Sequence, residues 1–169
     1  MEFKDFLTNH DACDSGMKYV ESLKWDINTF WAECHRGDWM LWLAKKAGIE
    51  KRLLVLVAGH CVSTVRYLMT EERSVNAVDV CIRYGNGEAT DEELTDAASD
   101  AAFAAADAAS AAASAAAAAV EAAASAAAYA YSAAYASAEA YAYAAAENQQ
   151  QTADIVRKHI TVEMIIDKL

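Results

Sequence analysis

Between Ala97 and Glu147, 33 of 51 residues are alanine, and neither glycine nor proline interrupts them. Alanine loses no side-chain entropy in a helix and heads the propensity scale, so over a window this long the small preferences add to one answer. The run is preceded by Thr90-Asp91-Glu92-Glu93. Here a threonine and a glutamate three residues later have capping-box spacing, and the acids suit the positive end of the helix dipole. The sequence therefore predicts one very long alanine-rich helix over residues 90–150. A continuous helix of about 55 residues would measure about 80 Å at 1.5 Å per residue. An alanine-rich helical hairpin is the alternative, but no turn residue is placed to make it.

The non-alanine residues of the run are ordered. Asp96, Asp100, Phe103, Asp107, Ser110, Ser114, Glu121, Ser125, Ser132, Tyr135 and Glu139 fall on steps of three and four, with Ala118 and Ala128 filling the gaps. Their mean spacing of about 3.6 is that of a straight helix rather than a supercoil. One side is thus mostly polar, and the others are alanine faces that allow close helix approach. Tyrosines enter late, and Tyr129, Tyr131, Tyr135, Tyr141 and Tyr143 do not share a face. Because tyrosine combines contact area with few rotatable bonds, these positions suit an interface.

Before this run the chain reads as short helices. Asp26 can cap a helix with Ile27, Phe30, Trp31 and Cys34 on one face. Asp38 is placed to cap the next, which carries Trp39, Met40, Leu41, Trp42 and Leu43 and ends at Gly48. A nearly all-round apolar helix follows from Glu50 to Met69, then a fourth from Ser74 to Tyr84, stopped by Gly85-Asn86-Gly87. After the run, Thr161 can cap a last short helix, and the tail from Thr152 to Leu169, apolar again from Ile155, is expected to fold back on the N-terminal helices. Proline is absent and glycine occurs six times, so the fold class is all-α. The expected organisation is an N-terminal bundle over 1–84, the long helix over 90–150 and a C-terminal helical tail over 151–169, in one structural domain.

The net charge of −11 is concentrated. Residues 84–156 hold 11 acids and no lysine or arginine, whereas residues 1–83 are nearly balanced. Such a surface repels phosphate backbones and favours a basic protein partner over nucleic acid. The candidate partner-binding residues are Asp107, Glu121, Tyr129, Tyr135, Glu139 and Tyr143. Exposed alanine faces on an 80 Å helix also predict a homo-oligomer. Acids recur through the run and alanine is only marginally apolar, so no membrane span is expected. Met1-Glu2-Phe3-Lys4-Asp5 shows no secretory pattern, which predicts a cytoplasmic protein.

Few residue groups suggest chemistry. Cys13, Cys34, Cys61 and Cys81 sit singly in apolar helical patterns and are expected to be small buried hydrophobes. Cys34-His35 and His60-Cys61 would supply four zinc donors, but neighbours on a helix point about 100° apart and do not converge. No metal or other cofactor is expected, and no constellation supports an enzyme. Arg36-Gly37-Asp38 matches an adhesion tripeptide, although its glycine and aspartate serve a turn and a cap. An ice-binding helix would want a threonine array, and no threonine occurs between Thr95 and Thr152. The remaining candidate is a cluster of Trp31, Arg36, Trp39, Trp42, Arg52 and Arg66, whose aromatic faces and guanidinium forks could sequester a nucleotide signal.

The segment from Trp31 to Leu43, the Ala/Tyr/Ser run, and Ala153-Asp-Ile-Val-Arg157-Lys-His159-Ile160 together resemble an alanine-rich, mostly uncharacterised family of phage and bacterial proteins, related to a group labelled as immunity proteins. The resemblance covers residues 10–169. It implies an α-helical fold and a role in bacterial or phage conflict, and it carries no catalytic residue. The leading expectation is a non-enzymatic protein-binding or structural module, with the nucleotide-sequestering protein as the alternative.

Overall fold

A computed structural model describes residues 2–69, 71–111 and 145–169, and these are helical without a strand. The helices are α1 (Phe3–Asn9), α2 (Asp14–Ser22), α3 (Ile27–Glu33), α4 (Gly37–Lys46), α5 (Lys51–Ser63), α6 (Glu72–Gly85), α7 (Asp91–Ala111), α8 (Ala145–His159) and α9 (Val162–Ile166), with a 3₁₀ turn at Arg66–Leu68. None among the described residues is long and apolar enough to cross a membrane.

Local signals set most of the boundaries. Asp26 accepts from the backbone N–H groups of Asn28 and Thr29 and starts α3. Thr90 and Glu93 bond each other's backbone N–H at 3.1 and 2.8 Å, completing the capping box of α7. Helices α4 and α6 end alike, with Gly48 and Gly87 at φ +81°. There the Ile49 N–H reaches Ala44 O and the Glu88 N–H reaches Arg83 O, the six-to-one bond of a Schellman end. Thr161 accepts from Met164 N and caps α9.

Helix α6 begins at Glu72 rather than Ser74, and two other boundaries differ from the expectation for a local reason. Helix α4 begins one residue before Asp38, with Arg36 at the N-cap, so Asp38 sits inside the first turn and is buried against its ion-pair partner. The apolar helix expected to reach Met69 stops at Ser63. At that point Ser63 Oγ donates to Gly59 O and Thr64 Oγ1 donates to Cys61 O, so side chains compete for the terminal carbonyls.

Helix α5 is the hub. Its Gly59 lies against Cys81 and Ile82 of α6, and Leu56 lies against Gly85. Helix α7 packs on α6; its Ala97, Ala98 and Ala101 are buried while Asp96 and Asp100 stay exposed, as the alanine-face and polar-face division predicts. Helix α8 crosses α4 and α5, where Thr152 is buried beside Gly37 and its carbonyl accepts from Cys61 Sγ. The tail does fold back. Arg157 donates to Trp31 O at 2.7 Å and to Cys34 O, fixing α8 to the end of α3.

The helix expected over 90–150 falls largely on residues 112–144, outside the described residues. Its two flanks carry information of their own. Asp91 pairs with Lys51 at 2.5 Å and Thr152 contacts Cys61 at 3.8 Å. Positions 51 and 61 lie on one helix about 15 Å apart, whereas a single straight helix would hold 91 and 152 about 90 Å apart. Helices α7 and α8 therefore do not share one straight axis.

Candidate functional site

Helices α1 to α4 meet around a cavity of about 90 Å³. Buried Leu7, Val20, Phe30 and Leu43 line it, together with half-buried Trp39 and Trp42. The two tryptophans share a face because they stand three residues apart on α4. Exposed Asp11 and Cys13 complete the opening. Asp11 has φ +56°, a conformation an aspartate tolerates better than most residues, and the reversal leads the chain from α1 into α2. Cys13 caps α2 by accepting from Gly16 N at 3.4 Å.

Only part of the tryptophan and arginine cluster comes together here. Trp39 and Trp42 line the cavity, and Arg36 lies over the Trp39 ring at 4.8 Å, while Lys46 lies over Trp42 at 5.8 Å. Trp31 is buried in the core instead. Arg36 is held in a two-pronged pair, Nε to Asp38 Oδ1 at 2.8 Å and a terminal nitrogen to Oδ2 at 2.5 Å. Arg52 is over Tyr84 at 4.3 Å and donates to the Tyr84 carbonyl at 2.6 Å. Arg66 pairs with both Asp79 oxygens on α6. Arg52 and Arg66 mark opposite ends of α5 and its following turn, so the six residues do not form one anion site. A phosphate group would also meet a lining without a cation, beside the Asp11 carboxylate. The six residues expected to form one cluster are thus spread over separate helix junctions.

The thiols divide in a way the sequence pattern did not reveal. Cys34, Cys61 and Cys81 are buried, and burial pushes their thiols up to about 11, about 12 and about 12. Cys13 is exposed, contrary to the expectation for all four. It follows a residue in the left-handed region by two positions and precedes Asp-Ser-Gly, which is a capping context rather than a core one. No group of three or more metal-donor side chains occurs among the described residues. Gly37 and Asp38 are buried, so Arg36-Gly37-Asp38 does not present an adhesion loop.

A second constellation is the stacked imidazole pair of His60 on α5 and His159 on α8, with ring centroids 5.1 Å apart. Partial burial lowers both, and Lys158 adds to the effect on each; His60 adds further to it on His159. A histidine held below its unfolded value of 6.5 contributes stability that is present above that value. That contribution is lost as pH falls through the folded value, because the unfolded chain then binds more protons. Urea midpoints should therefore decline as pH is lowered from about 7.5 to about 5.5, and His159→Phe should flatten the decline. An unchanged pH slope in that variant would refute the assignment.

Of the partner-binding candidates, Asp107 falls on α7, with its side chain outside the described set; Glu121, Tyr129, Tyr135, Glu139 and Tyr143 lie outside the described residues. What the structure does describe is the start of the acidic segment. Asp91 and Glu93 are occupied internally by Lys51 and Arg83. Glu92, Asp96 and Asp100, spaced by four, form an exposed row on α7 with no ion pair to a described residue. Sequence reasoning missed Leu7, Asp11, Cys13, Gly16 and Val20 as cavity residues, because the cavity arises from packing between helices distant in sequence. No family model, curated protein or solved structure matches the chain.

Proposed function

We propose that this protein is a non-enzymatic binding module whose acidic helical face engages a basic protein partner. The observation that carries this reading is the row Glu92, Asp96 and Asp100. Three like charges at i, i+4 spacing oppose helix formation slightly, yet they sit exposed on a helix whose opposite side is buried alanine. The row opens a segment in which residues 84–156 hold no lysine or arginine. A field of one sign steers a complementary surface and rejects like-charged ones. The family resemblance adds a biological setting, immunity or phage counter-defence, in which such a module would neutralise its target by occupying it. Self-association through alanine faces belongs to the same proposal and is read by light scattering.

The test is affinity capture from a bacterial lysate with wild type and with the triple variant Glu92→Lys, Asp96→Lys, Asp100→Lys. Wild type should recover lysine- and arginine-rich proteins that elute as salt is raised, since the screening length falls from about 10 Å at 0.1 M to about 3 Å at 1 M. The variant should lose them while melting normally. Equal recovery by both proteins would overturn the reading.

A further inference from the structure

We infer that the cavity between α1, α2, α3 and α4 is a binding site for a small, neutral aromatic molecule carrying one hydrogen-bond donor, of the phenol or indole class. The inference does not depend on the acidic face, which lies on a different helix. Protein interiors keep few voids larger than a water molecule. A single water needs about 10–15 Å³ of such space. At about 90 Å³ it has space for one ring with a substituent rather than an isolated solvent molecule.

The lining selects the class. Leu7, Val20, Phe30 and Leu43 offer apolar contact, and the half-buried Trp39 and Trp42 offer aromatic surface for tilted or edge-on packing. No lysine or arginine lines the cavity, so a carboxylate or phosphate would lose its hydration without gaining a partner. Of the polar side chains among the lining residues, the Asp11 carboxylate can only accept a hydrogen bond, and the Cys13 sulfur already accepts one from Gly16 N. Asp11 thus matches a ligand that donates one O–H or N–H. The position of Arg36 and Lys46 over the same two tryptophan rings, with Arg36 fixed by Asp38, holds those rings in place before a ligand arrives.

Cys13 makes the site self-reporting. The other three thiols are buried and held protonated, so alkylation by iodoacetamide in the native state reads Cys13. Phenol and indole, titrated separately, should slow this alkylation, by about tenfold when the free ligand is tenfold above its dissociation constant, and should raise the melting temperature. Benzoate, which has the same ring with a negative charge, should do neither. Gly16→Leu fills the cavity from α2, and Gly16→Ala is its control, because a methyl group there meets Cys13 Sγ at an ordinary 3.4 Å. The leucine variant should lose protection by phenol and indole, and the alanine variant should retain it. If the leucine variant does not melt cooperatively, Ala12→Leu fills the same space from the turn before α2. Absence of protection and of a melting shift with both ligands at millimolar concentration would overturn the inference. So would full protection in a folded, cavity-filled variant, or benzoate acting as well as phenol.

Discussion

Asp38→Ala is expected to destabilise the protein by about 3 kcal/mol, the low end of the range for breaking a buried ion pair. The carboxylate has no exposed side-chain surface, and its two oxygens receive both prongs of the Arg36 guanidinium. Removing it takes both prongs of this pair away from a guanidinium held beside the core. The loss stays at the low end because the Arg36 side chain keeps 24% of its surface in water and its ring contact with Trp39. Replacing both partners together, Arg36→Met with Asp38→Leu, should cost less than the single change, since no unpaired charge remains. Urea titrations check both results, with midpoints shifting at constant slope. A single variant within about 0.5 kcal/mol of wild type would contradict the described burial.

The second large effect is steric. A methyl group at Gly85 would overlap Leu56 Cβ and come 2.8 Å from Leu56 Cα, and at Gly37 it would come 2.6 Å from Thr152 Oγ1 and 2.8 Å from the Thr152 carbonyl carbon. Backbone atoms cannot rotate away, so the helices themselves must separate. Gly85→Ala and Gly37→Ala are each expected to cost about 2–3 kcal/mol, as overpacked cores do, despite the gain in helix propensity. Gly16→Ala, which meets nothing closer than 3.4 Å, should be neutral or stabilising by up to about 1 kcal/mol. Thermal melts of the three variants give the comparison, and equal behaviour at all three sites would refute the close helix contacts.

Legibility in the sequence followed the range of the interaction. The caps at Asp26, Thr90 with Glu93, and Thr161, and the glycine ends at Gly48 and Gly87, were readable because each bonds within a few residues of itself. The alternation of alanine and acid on α7 was readable for the same reason. The fates of the arginines were not. Arg66 finds Asp79, Arg52 finds the Tyr84 carbonyl, and Arg157 finds Trp31 and Cys34 more than a hundred residues away. A set of tryptophans and arginines close in sequence therefore suggested one anion site, whereas in space each guanidinium completes a different helix junction. The cavity was hidden likewise, since α1, α2 and the turn between them contribute six of its ten lining residues and none of these had carried a functional signal.

The two glycine junctions also differ in how far the chain must travel to make them. Gly85 meets Leu56 across fewer than thirty residues, within the consecutive pair α5 and α6; Gly37 meets Thr152 across more than a hundred. Closing the longer loop is entropically costlier, and contacts between sequence neighbours form sooner. The α5–α6 junction thus belongs to the early part of folding, and the seating of α8 on α4 to the late part. Two substitutions of similar equilibrium effect should then separate kinetically, with Gly85→Ala slowing refolding and Gly37→Ala mainly speeding unfolding. The lifetime of the native state is accordingly expected to follow the C-terminal clasp of Thr152 and Arg157, and its rate of formation the α5–α6 pair.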